Sequence, residues 1–354
     1  MPVSDMALEN KATMRVYVMD DVRHGIFTRA PLPQPGEGEV RIRSRFAGIC
    51  GSDVHAYLGH HVRRRLPLIG GHEASGIVDA LGPGVTGPAP GTCVAVNPEI
   101  GCGRCDDCAA GWTNLCRDKV LMGTGPWPGA FAEYFCAPAS NLLVVPDGLD
   151  PRVAALTEPV SVAVHALRKV ADRNDQNALI IGAGGIGCTL LVAAKLMGWM
   201  HVSVSDVVGS KLNAALALGA DEAVDVSGSS LPEALLRKDI PAPGVIFVAA
   251  SGPGMIDSCF TAARNRADIV LLGQFGEAGV IDIDKGRIRE QTIHGSFTYT
   301  RDDFADALAL LSGNPQRFSP LTDQVVSLDA ADAVIGEMAT GRSRAVKILV
   351  ELGE

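Results

Sequence analysis

Four cysteines in one short stretch of the chain are its strongest chemical signal. Cys102, Cys105, Cys108 and Cys116 lie in the run CGRCDDCAAGWTNLC. Four thiolates at this spacing can close a tetrahedral shell around one zinc ion. Because a closed shell leaves no coordination position for a substrate, we expect this site to hold a lobe in shape. The alternative, free or disulfide-bonded cysteines, would have to explain three cysteines at successive CxxC intervals.

A second set of residues could bind a metal in a different way. The segments GICGSDVH and GGHEASG contain Cys50, His72 and Glu73. A thiolate, an imidazole and a carboxylate can ligate zinc and leave one position open, so that the ion acts on a substrate oxygen as a Lewis acid. Glu73 has an alternative role, in which it orients a ligand without contacting the metal.

A glycine-rich turn predicts a dinucleotide site. In ALIIGAGGIG, Gly182, Gly184 and Gly187 form a GxGxxG motif between an apolar strand and an apolar helix. This arrangement lets a backbone turn and a helix N-terminus hold a pyrophosphate. Asp206 ends the next strand, where a carboxylate accepts the ribose hydroxyls and repels a 2′-phosphate, so we expect NAD rather than NADP. A plain turn and a helix-capping Asp206 are the simpler alternatives.

The elements around these residues suggest two lobes. Residues 14 to about 150 alternate short β-like runs with turn clusters, the pattern of a compact β-barrel. The following segments alternate apolar strands with helices, which predicts a doubly wound parallel sheet. The last strand, KILVEL, suggests that the chain returns to the first lobe. We therefore predict an α/β fold.

The motifs GICGSDVHAY, GGHEASGIVDALGPGV, EPVSVAVHAL and GAGGIG, in this order, resemble the zinc-dependent medium-chain dehydrogenases, specifically the polyol (sorbitol) and L-idonate 5-dehydrogenase branch. The resemblance covers about residues 15 to 352. It implies a GroES-like catalytic domain over 1–155 and 297–354 and a Rossmann domain over 156–296. It further implies an active site in the cleft between them and assembly as a homotetramer or homodimer.

The resemblance also assigns roles to individual residues. Catalytic zinc falls on Cys50, His72 and Glu73, with Glu158 as fourth ligand or as partner of the zinc-bound water; structural zinc falls on the four-cysteine loop. Ser52 and His55 match a proton relay. The positions matched to cofactor contacts are Gly182, Gly184, Gly185, Ile186, Gly187, Asp206, Lys211, Leu271, Leu272, Gly273, Ser296, Phe297 and Thr298.

The sequence departs from the sorbitol dehydrogenase pattern at two substrate-binding positions. An aromatic residue and an arginine are replaced by Ala56 and Thr298. We expect oxidation of a secondary hydroxyl on a polyol, sugar or sugar acid; the alternative is a simple secondary-alcohol or butanediol dehydrogenase. Arg63, Arg64 and Arg65 are either a solvated loop or include one contact to a substrate carboxylate.

Composition limits the partners and the location. The chain of 354 residues has a net charge of −9, which argues against binding to nucleic acid. Its apolar runs are too short to span a bilayer, so no membrane partner is expected. The N-terminus lacks a basic segment followed by an apolar one, and we expect a terminal tail on a cytoplasmic protein. A small-molecule alcohol is the expected partner.

Overall fold

The computed structural model describes residues 12–173, 177–273, 280–322, 324–341 and 343–353. The expected N-terminal tail falls mostly on residues 1–11, outside the described part. The first 150 residues contain the strands β1 (Thr13–Asp21), β2 (His24–Pro31), β3 (Glu39–Ile49), β4 (Glu73–Leu81), β5 (Cys93–Val96), β6 (Glu99–Ile100), β7 (Val120–Leu121), β8 (Tyr134–Pro138) and β9 (Leu142–Val144). Two short helices, α1 (Gly51–Tyr57) and α2 (Asp106–Ala109), interrupt them.

The next part of the chain alternates helices and strands. Helices α3 (Pro151–Ala154) and α4 (Thr157–Arg168) come first. The strands are β10 (Asn177–Ile181), β11 (His201–Asp206), β12 (Glu222–Asp225), β13 (Val245–Val248), β14 (Asp268–Leu271) and β15 (Thr292–Gly295). The helices between them are α5 (Gly185–Leu196), α6 (Gly209–Leu218), α7 (Leu231–Arg237), α8 (Met255–Ala262) and α9 (Ile283–Arg287).

The C-terminal part completes the fold. Its elements are α10 (Arg301–Gly313), α11 (Pro315–Phe318), β16 (Val325–Ser327), α12 (Ala331–Ala339) and β17 (Ile348–Glu351). None of the helices in the described segments is long and apolar enough to cross a membrane.

Strands β10 to β15 form a six-stranded parallel sheet in the order β12-β11-β10-β13-β14-β15. Side chains alternate between its faces, as a strand requires. Ala178 and Ile180 pack in one buried cluster with α5, whereas Leu179 and Ile181 pack in another with α7 and α8. Helices therefore cover both faces, which confirms the doubly wound sheet. The strand order reverses beside β10, and ligands bind at such a switch point.

A second, seven-stranded sheet contains β3, β4, β5, β8, β9, β16 and β17. Strand β3 pairs with β4 on one side, so that Gly48 lies opposite Glu73. On its other side β3 pairs antiparallel with β17, where Ile348 lies opposite Ile49. The predicted return of the chain to the first lobe is thus confirmed. Together, the three strands bring residues 48–50, 73 and 347 to one end of the sheet.

The two sheets share a continuous core through α4 and α10. Phe304, Ala307 and Leu311 of α10 belong to the same buried cluster as α4, α5 and one face of β10. Thr300 caps α10 by accepting a hydrogen bond from the Asp303 N–H at 3.2 Å. The Asp303 carboxylate lies 2.7 Å from Nδ1 of the buried His165 on α4. These contacts fix α4, and with it Glu158, relative to the C-terminal segment.

Candidate active site

Cys50, His72 and Glu73 meet where β3 ends and β4 begins. Their ligand atoms lie within 4.8 Å of one another. His72 and Glu73 are buried and Cys50 is half-buried. Among the described residues, Glu73 Oε1 is buried without a hydrogen-bond partner, and His72 Nδ1 is buried with the Asp53 carboxylate 3.7 Å away. Buried polar atoms without partners are costly, so a donor set of this kind fits a bound metal ion.

The Glu73 carboxylate forms an ion pair with the buried Lys347, immediately before β17. Lys347 Nζ also donates to the Ile49 carbonyl at 3.1 Å. Burial disfavours the charged ammonium, but Glu73 and Cys50 together raise the pKa of Lys347 above its ordinary value. A Cβ at Gly48 would collide with the Glu73 carboxylate, so a side chain there would displace this carboxylate. Lys347 was not predicted from the sequence. The pattern that could have indicated it is a single lysine directly before an apolar strand.

Glu158 lies in the first turn of α4 and is buried. Its carboxylate is not part of the group of ligand atoms that lie within 4.8 Å of one another. Burial raises the pKa of Glu158 to about 7, with His72 opposing the rise and Glu73 adding to it. Tyr299, which was also not predicted, is buried near this carboxylate: burial and then Glu158 raise the pKa of Tyr299 well above its usual value.

Asp53 hydrogen-bonds to both segments that carry the metal ligands. This fully buried side chain on α1 accepts a hydrogen bond from the Cys50 N–H at 3.0 Å and from the Gly71 N–H at 3.2 Å. Its Oδ2 lies 3.7 Å from His72 Nδ1. Burial alone would raise the pKa of Asp53, but His72 and Arg64 hold it well below its usual range. Asp53 is therefore a buried anion in contact with both ligand-bearing segments.

The predicted relay residues lie on α1, next to Cys50. Ser52 Oγ is buried and lacks a hydrogen-bond partner among the described residues, and His55 is half-buried. Tyr57, the next aromatic residue after Ala56, is buried and donates its hydroxyl to the Arg23 carbonyl at 2.8 Å. The Tyr57 hydroxyl thus does not replace the aromatic residue missing at position 56.

The glycine-rich turn follows β10, at the switch point of the parallel sheet. Gly182 has a φ of +101°, in the region that favours glycine. A Cβ at Gly187 would collide with the Gly182 carbonyl. The Asp206 carboxylate, at the end of β11, accepts from the Ala183 N–H at 2.7 Å and the Val208 N–H at 2.9 Å. Asp206 therefore lies at the turn, where the ribose was expected.

The glycine-rich turn also contacts the metal-ligand region. A Cβ added to Gly185 would lie 3.6 Å from Lys347 Cδ and 3.2 Å from the Val346 carbonyl oxygen. The lysine that pairs with Glu73 thus packs against the turn predicted to hold the pyrophosphate. Two sites predicted from separate parts of the sequence are adjacent in the fold.

The other predicted cofactor residues lie on several elements. Lys211 is on α6. Leu271 ends β14, and Leu272 and Gly273 follow it at the same edge of the sheet as the glycine-rich turn. Gly273 packs closely against Ala250, whose carbonyl would be 2.9 Å from an added Cβ. Ser296 to Thr298 follow β15 at this edge.

The four-cysteine lobe contacts the segment after β15. Asn114 Nδ2 donates to the Phe297 carbonyl at 2.8 Å, and Lys119 Nζ lies 4.4 Å from the Phe297 ring centroid. Glu99 accepts hydrogen bonds from the Thr298 hydroxyl at 3.3 Å and from Lys119 at 3.2 Å. The Thr298 hydroxyl is thus bonded to Glu99, in a position where related enzymes were expected to carry a substrate-binding arginine.

The four cysteines of this lobe come together as predicted. The Sγ atoms of Cys102, Cys105, Cys108 and Cys116 lie within 4.8 Å of one another, and zinc–sulfur bonds of about 2.3 Å would place them about 3.8 Å apart. The Cys102 N–H donates to Cys116 Sγ at 3.3 Å and the Cys108 N–H to Cys105 Sγ at 3.4 Å. Backbone N–H groups of Arg104 and Cys105 lower the pKa of Cys102 to about 6. Although the Cys108 N–H favours the Cys105 thiolate, burial and hydrogen bonds with the other cysteines raise the pKa of Cys105 to about 12. The fit to a structural zinc therefore rests on the closeness of the four sulfur atoms.

The loop after α1 places its three arginines differently. Arg63 and Arg65 are exposed, as a solvated loop predicts, whereas Arg64 is buried. Its guanidinium contacts Asp53 and the Gly123 carbonyl. Arg64 therefore belongs neither to a solvated surface nor to an open substrate pocket.

Comparison with known proteins gives matches over both lobes. Residues 36–147 match the family model of the alcohol dehydrogenase GroES-like domain, and residues 185–313 match that of the zinc-binding dehydrogenases. The chain is 31% identical to human sorbitol dehydrogenase over 92% of each protein.

Solved structures share the whole fold. The alcohol dehydrogenase RspB from Escherichia coli CFT073, complexed with NADH, gives a TM-score of 0.87 at 29% identity and covers 96% of this chain and 99% of its own. A zinc-binding dehydrogenase from Sinorhizobium meliloti 1021, bound to NADP, gives 0.88 at 28% identity, over 96% and 100%. The chain therefore belongs to the zinc-dependent medium-chain dehydrogenases, with a GroES-like domain and a zinc-binding dehydrogenase domain on a Rossmann-type sheet.

Proposed function

We propose that this protein is a zinc-dependent oxidoreductase that transfers a hydride between a secondary hydroxyl of a polyol, sugar or sugar acid and NAD. The observation that carries the proposal is the contact between the two sites: Lys347 pairs with Glu73 of the metal-ligand group and packs against Gly185 of the glycine-rich turn. A substrate bound at the metal would then lie beside the nicotinamide. The similarity to human sorbitol dehydrogenase supports the substrate class.

When bound, zinc supplies a Lewis acid to the substrate oxygen, and the nicotinamide supplies the hydride acceptor. Cys50, His72 and Glu73 would hold the metal. Glu158 would act as the partner of a bound water rather than as a simultaneous ligand, because its carboxylate lies outside the close group. Without metal, burial raises the pKa of Glu158 to about 7; a cation bound nearby would lower this pKa and favour the carboxylate, which could accept a hydrogen bond from the bound water.

The alcohol proton needs a path to solvent. Ser52 Oγ has no partner among the described residues and could accept this proton, and the half-buried His55 lies one helical turn further along α1. A hydroxyl and an imidazole at this spacing can pass a proton in sequence through the cofactor ribose. We therefore assign Ser52 and His55 to the relay.

The alternative substrate class is a simple secondary alcohol or a butanediol. It is favoured by one observation: the Thr298 hydroxyl and the Tyr57 hydroxyl both have partners within the protein. These two hydroxyl groups thus donate to acceptors within the protein and not to a substrate.

A screen of NAD reduction would test the function and decide between the classes. Polyols, aldonates, aldoses and aliphatic secondary alcohols should be compared by kcat/KM. We expect a polyhydroxylated substrate to give the highest value. Higher kcat/KM for 2,3-butanediol than for every polyhydroxylated compound would select the alternative, and no turnover of any alcohol would contradict both.

Two zinc ions per chain are expected. Cys50→Ala should leave one zinc per chain, abolish turnover and retain NADH binding, because the nucleotide contacts lie on the other sheet. Zinc content, turnover and NADH fluorescence measure these effects. Ser52→Ala should keep two zinc ions and lose only turnover, and Cys136→Ala, outside both clusters, should resemble the wild type. Full activity of Cys50→Ala would refute the metal assignment.

Asp206 supports NAD over NADP, although the similar structures hold either cofactor. Asp206→Ala should weaken NADH binding by about 1.5–3 kcal/mol, or roughly 10- to 150-fold in Kd, because it removes hydrogen bonds to a charged group. NADPH binding should tighten as repulsion is lost. Asp225→Ala, at the end of the neighbouring strand, is the control. Weakened binding of both cofactors would instead indicate a distorted turn, and a wild-type preference for NADPH would overturn the assignment.

The domain division is proposed at residues 1–155 with 297–354 and 156–296. The separate sheets support it, since all strands of the parallel sheet lie within 177–295. The shared core of α4 and α10 then forms the junction between the domains.

We also propose a homodimer or homotetramer. Strand β15 is an edge of the parallel sheet, and apolar side chains are exposed on and before it, including Val280, Ile283, Ile288 and Ile293. Light scattering should give a multiple of 37.0 kDa. Ile293→Arg should shift the mass toward one chain, and Val144→Arg, on an edge of the other sheet, should not. A wild-type mass of one chain would contradict self-association.

A cytoplasmic location is proposed because all nine cysteines are unpaired in the structure. Five of the seven proposed metal ligands are thiols, which a reducing compartment preserves. Cell fractionation that recovered the protein elsewhere would contradict it.

A further inference from the structure

Arg64 differs from its two neighbours in the arginine loop. Its side chain is only 5% exposed, whereas Arg63 and Arg65 are on the surface. His61 Nδ1 accepts hydrogen bonds from two backbone N–H groups, that of Arg63 at 3.2 Å and that of Arg64 at 3.0 Å. This turn lets the middle arginine enter the protein while its neighbours remain in water.

The Arg64 guanidinium has two partners inside the protein. Nη1 donates to the Gly123 carbonyl at 3.0 Å and lies 3.5 Å from Asp53 Oδ1. A Cβ at Gly123 would collide with this guanidinium, so the loop around residue 123 fits closely over it. A buried arginine with these contacts has little freedom to reach a substrate.

Asp53 connects Arg64 to the metal-ligand residues. The same carboxylate accepts from the N–H of Cys50 and from that of Gly71, the residue before His72. A carboxylate without exposure is stable as an anion only beside a compensating cation. Arg64 is the permanent cation in contact with Asp53 among the described residues, whereas His72, as a zinc ligand, would be a neutral imidazole 3.7 Å from the same carboxylate.

We propose that Arg64 is a positioning residue of the catalytic zinc site: it holds the Asp53 carboxylate, which fixes the backbone at Cys50 and Gly71 and thereby the two ligand side chains. Arg64 does not contact the metal or the substrate. This inference rests on the proposed function only in taking Cys50 and His72 as zinc ligands.

The test compares Arg64→Met with Arg63→Met and Arg65→Met in the full-length, zinc-loaded enzyme. The measurement is the rate at which a chelator removes zinc, followed by a chromogenic indicator without substrate or cofactor. Arg64→Met should release one of two zinc ions faster by about 10- to 100-fold, the usual effect of losing a group behind a metal ligand. The four-cysteine zinc should be released at the wild-type rate, and the two control variants should match the wild type.

Arg64→Lys separates positioning from packing. It keeps the charge near Asp53 but not the planar fork, so zinc release should be intermediate between the wild type and Arg64→Met. The visible spectrum of cobalt placed in the open site should shift in Arg64→Met and less in Arg64→Lys. If Arg64→Met does not fold, intermediate release from Arg64→Lys still supports the proposal, and wild-type release together with an unchanged cobalt spectrum refutes it.

Two results would overturn the inference. One is a lower melting temperature of Arg64→Met with unchanged zinc release and cobalt spectrum, which would make Arg64 a packing residue only. The other is an equal acceleration of zinc release in Arg64→Met, Arg63→Met and Arg65→Met, which would attribute the effect to the total charge of the loop. A wild-type protein that binds zinc at Cys50 but oxidises no alcohol would refute the proposed function and leave this inference standing.

Discussion

The burial of ionisable groups around the metal-ligand residues constrains the rest of the structure. Six charged or titratable side chains are almost inaccessible there: Asp53, Arg64, His72, Glu73, Glu158 and Lys347. Charges in such an interior are tolerated only when each has a partner. Arg64 lies against Asp53 and Lys347 against Glu73, while Glu158 forms no ion pair among the described residues and its burial raises its pKa. A divalent cation beside Cys50 and Glu73 would supply the missing positive charge.

This constraint explains features that are distant in sequence. A side chain at position 48 would displace the Glu73 carboxylate, and one at position 123 would displace the Arg64 guanidinium; a φ of +72° also favours glycine at position 123. Strand β17 must return to β3, since only this pairing places Lys347 beside Ile49 and Glu73. The same return brings Lys347 against Gly185. The ion pair between Glu73 and Lys347 therefore also sets how closely the glycine-rich turn approaches the metal ligands.

The four-cysteine lobe has a second connection to this arrangement. Asn114 and Lys119 lie within or just after the cysteine run, and both contact Phe297 after β15. Trp112 packs edge-on against His165 of α4, with ring centroids 6.5 Å apart. The four-cysteine lobe thus touches both α4, which carries Glu158, and the segment expected to face the nicotinamide.

Local patterns in the sequence were sufficient for the fold class and for the principal ligand candidates. The CxxC spacing and the strand-turn-helix context of Gly182 depend on neighbours within a few residues, so they can be read directly. Arg64 was not identified because three adjacent arginines are typical of a solvated loop, and its burial depends on Gly123, 59 residues away. Lys347 and Ile49 are separated by 298 residues. Such pairings are set by the register of strands, which no local pattern contains.

The central claim is that an open zinc site and a nicotinamide site meet at Lys347. Zinc anomalous scattering from crystals grown with zinc and NADH would test it most directly. Two zinc peaks per chain are expected, one among Cys50, His72 and Glu73 and one within the four cysteines, with the nicotinamide ring beside the first. A single peak in the four-cysteine lobe of catalytically active crystals, or a nicotinamide directed away from Cys50, would contradict it.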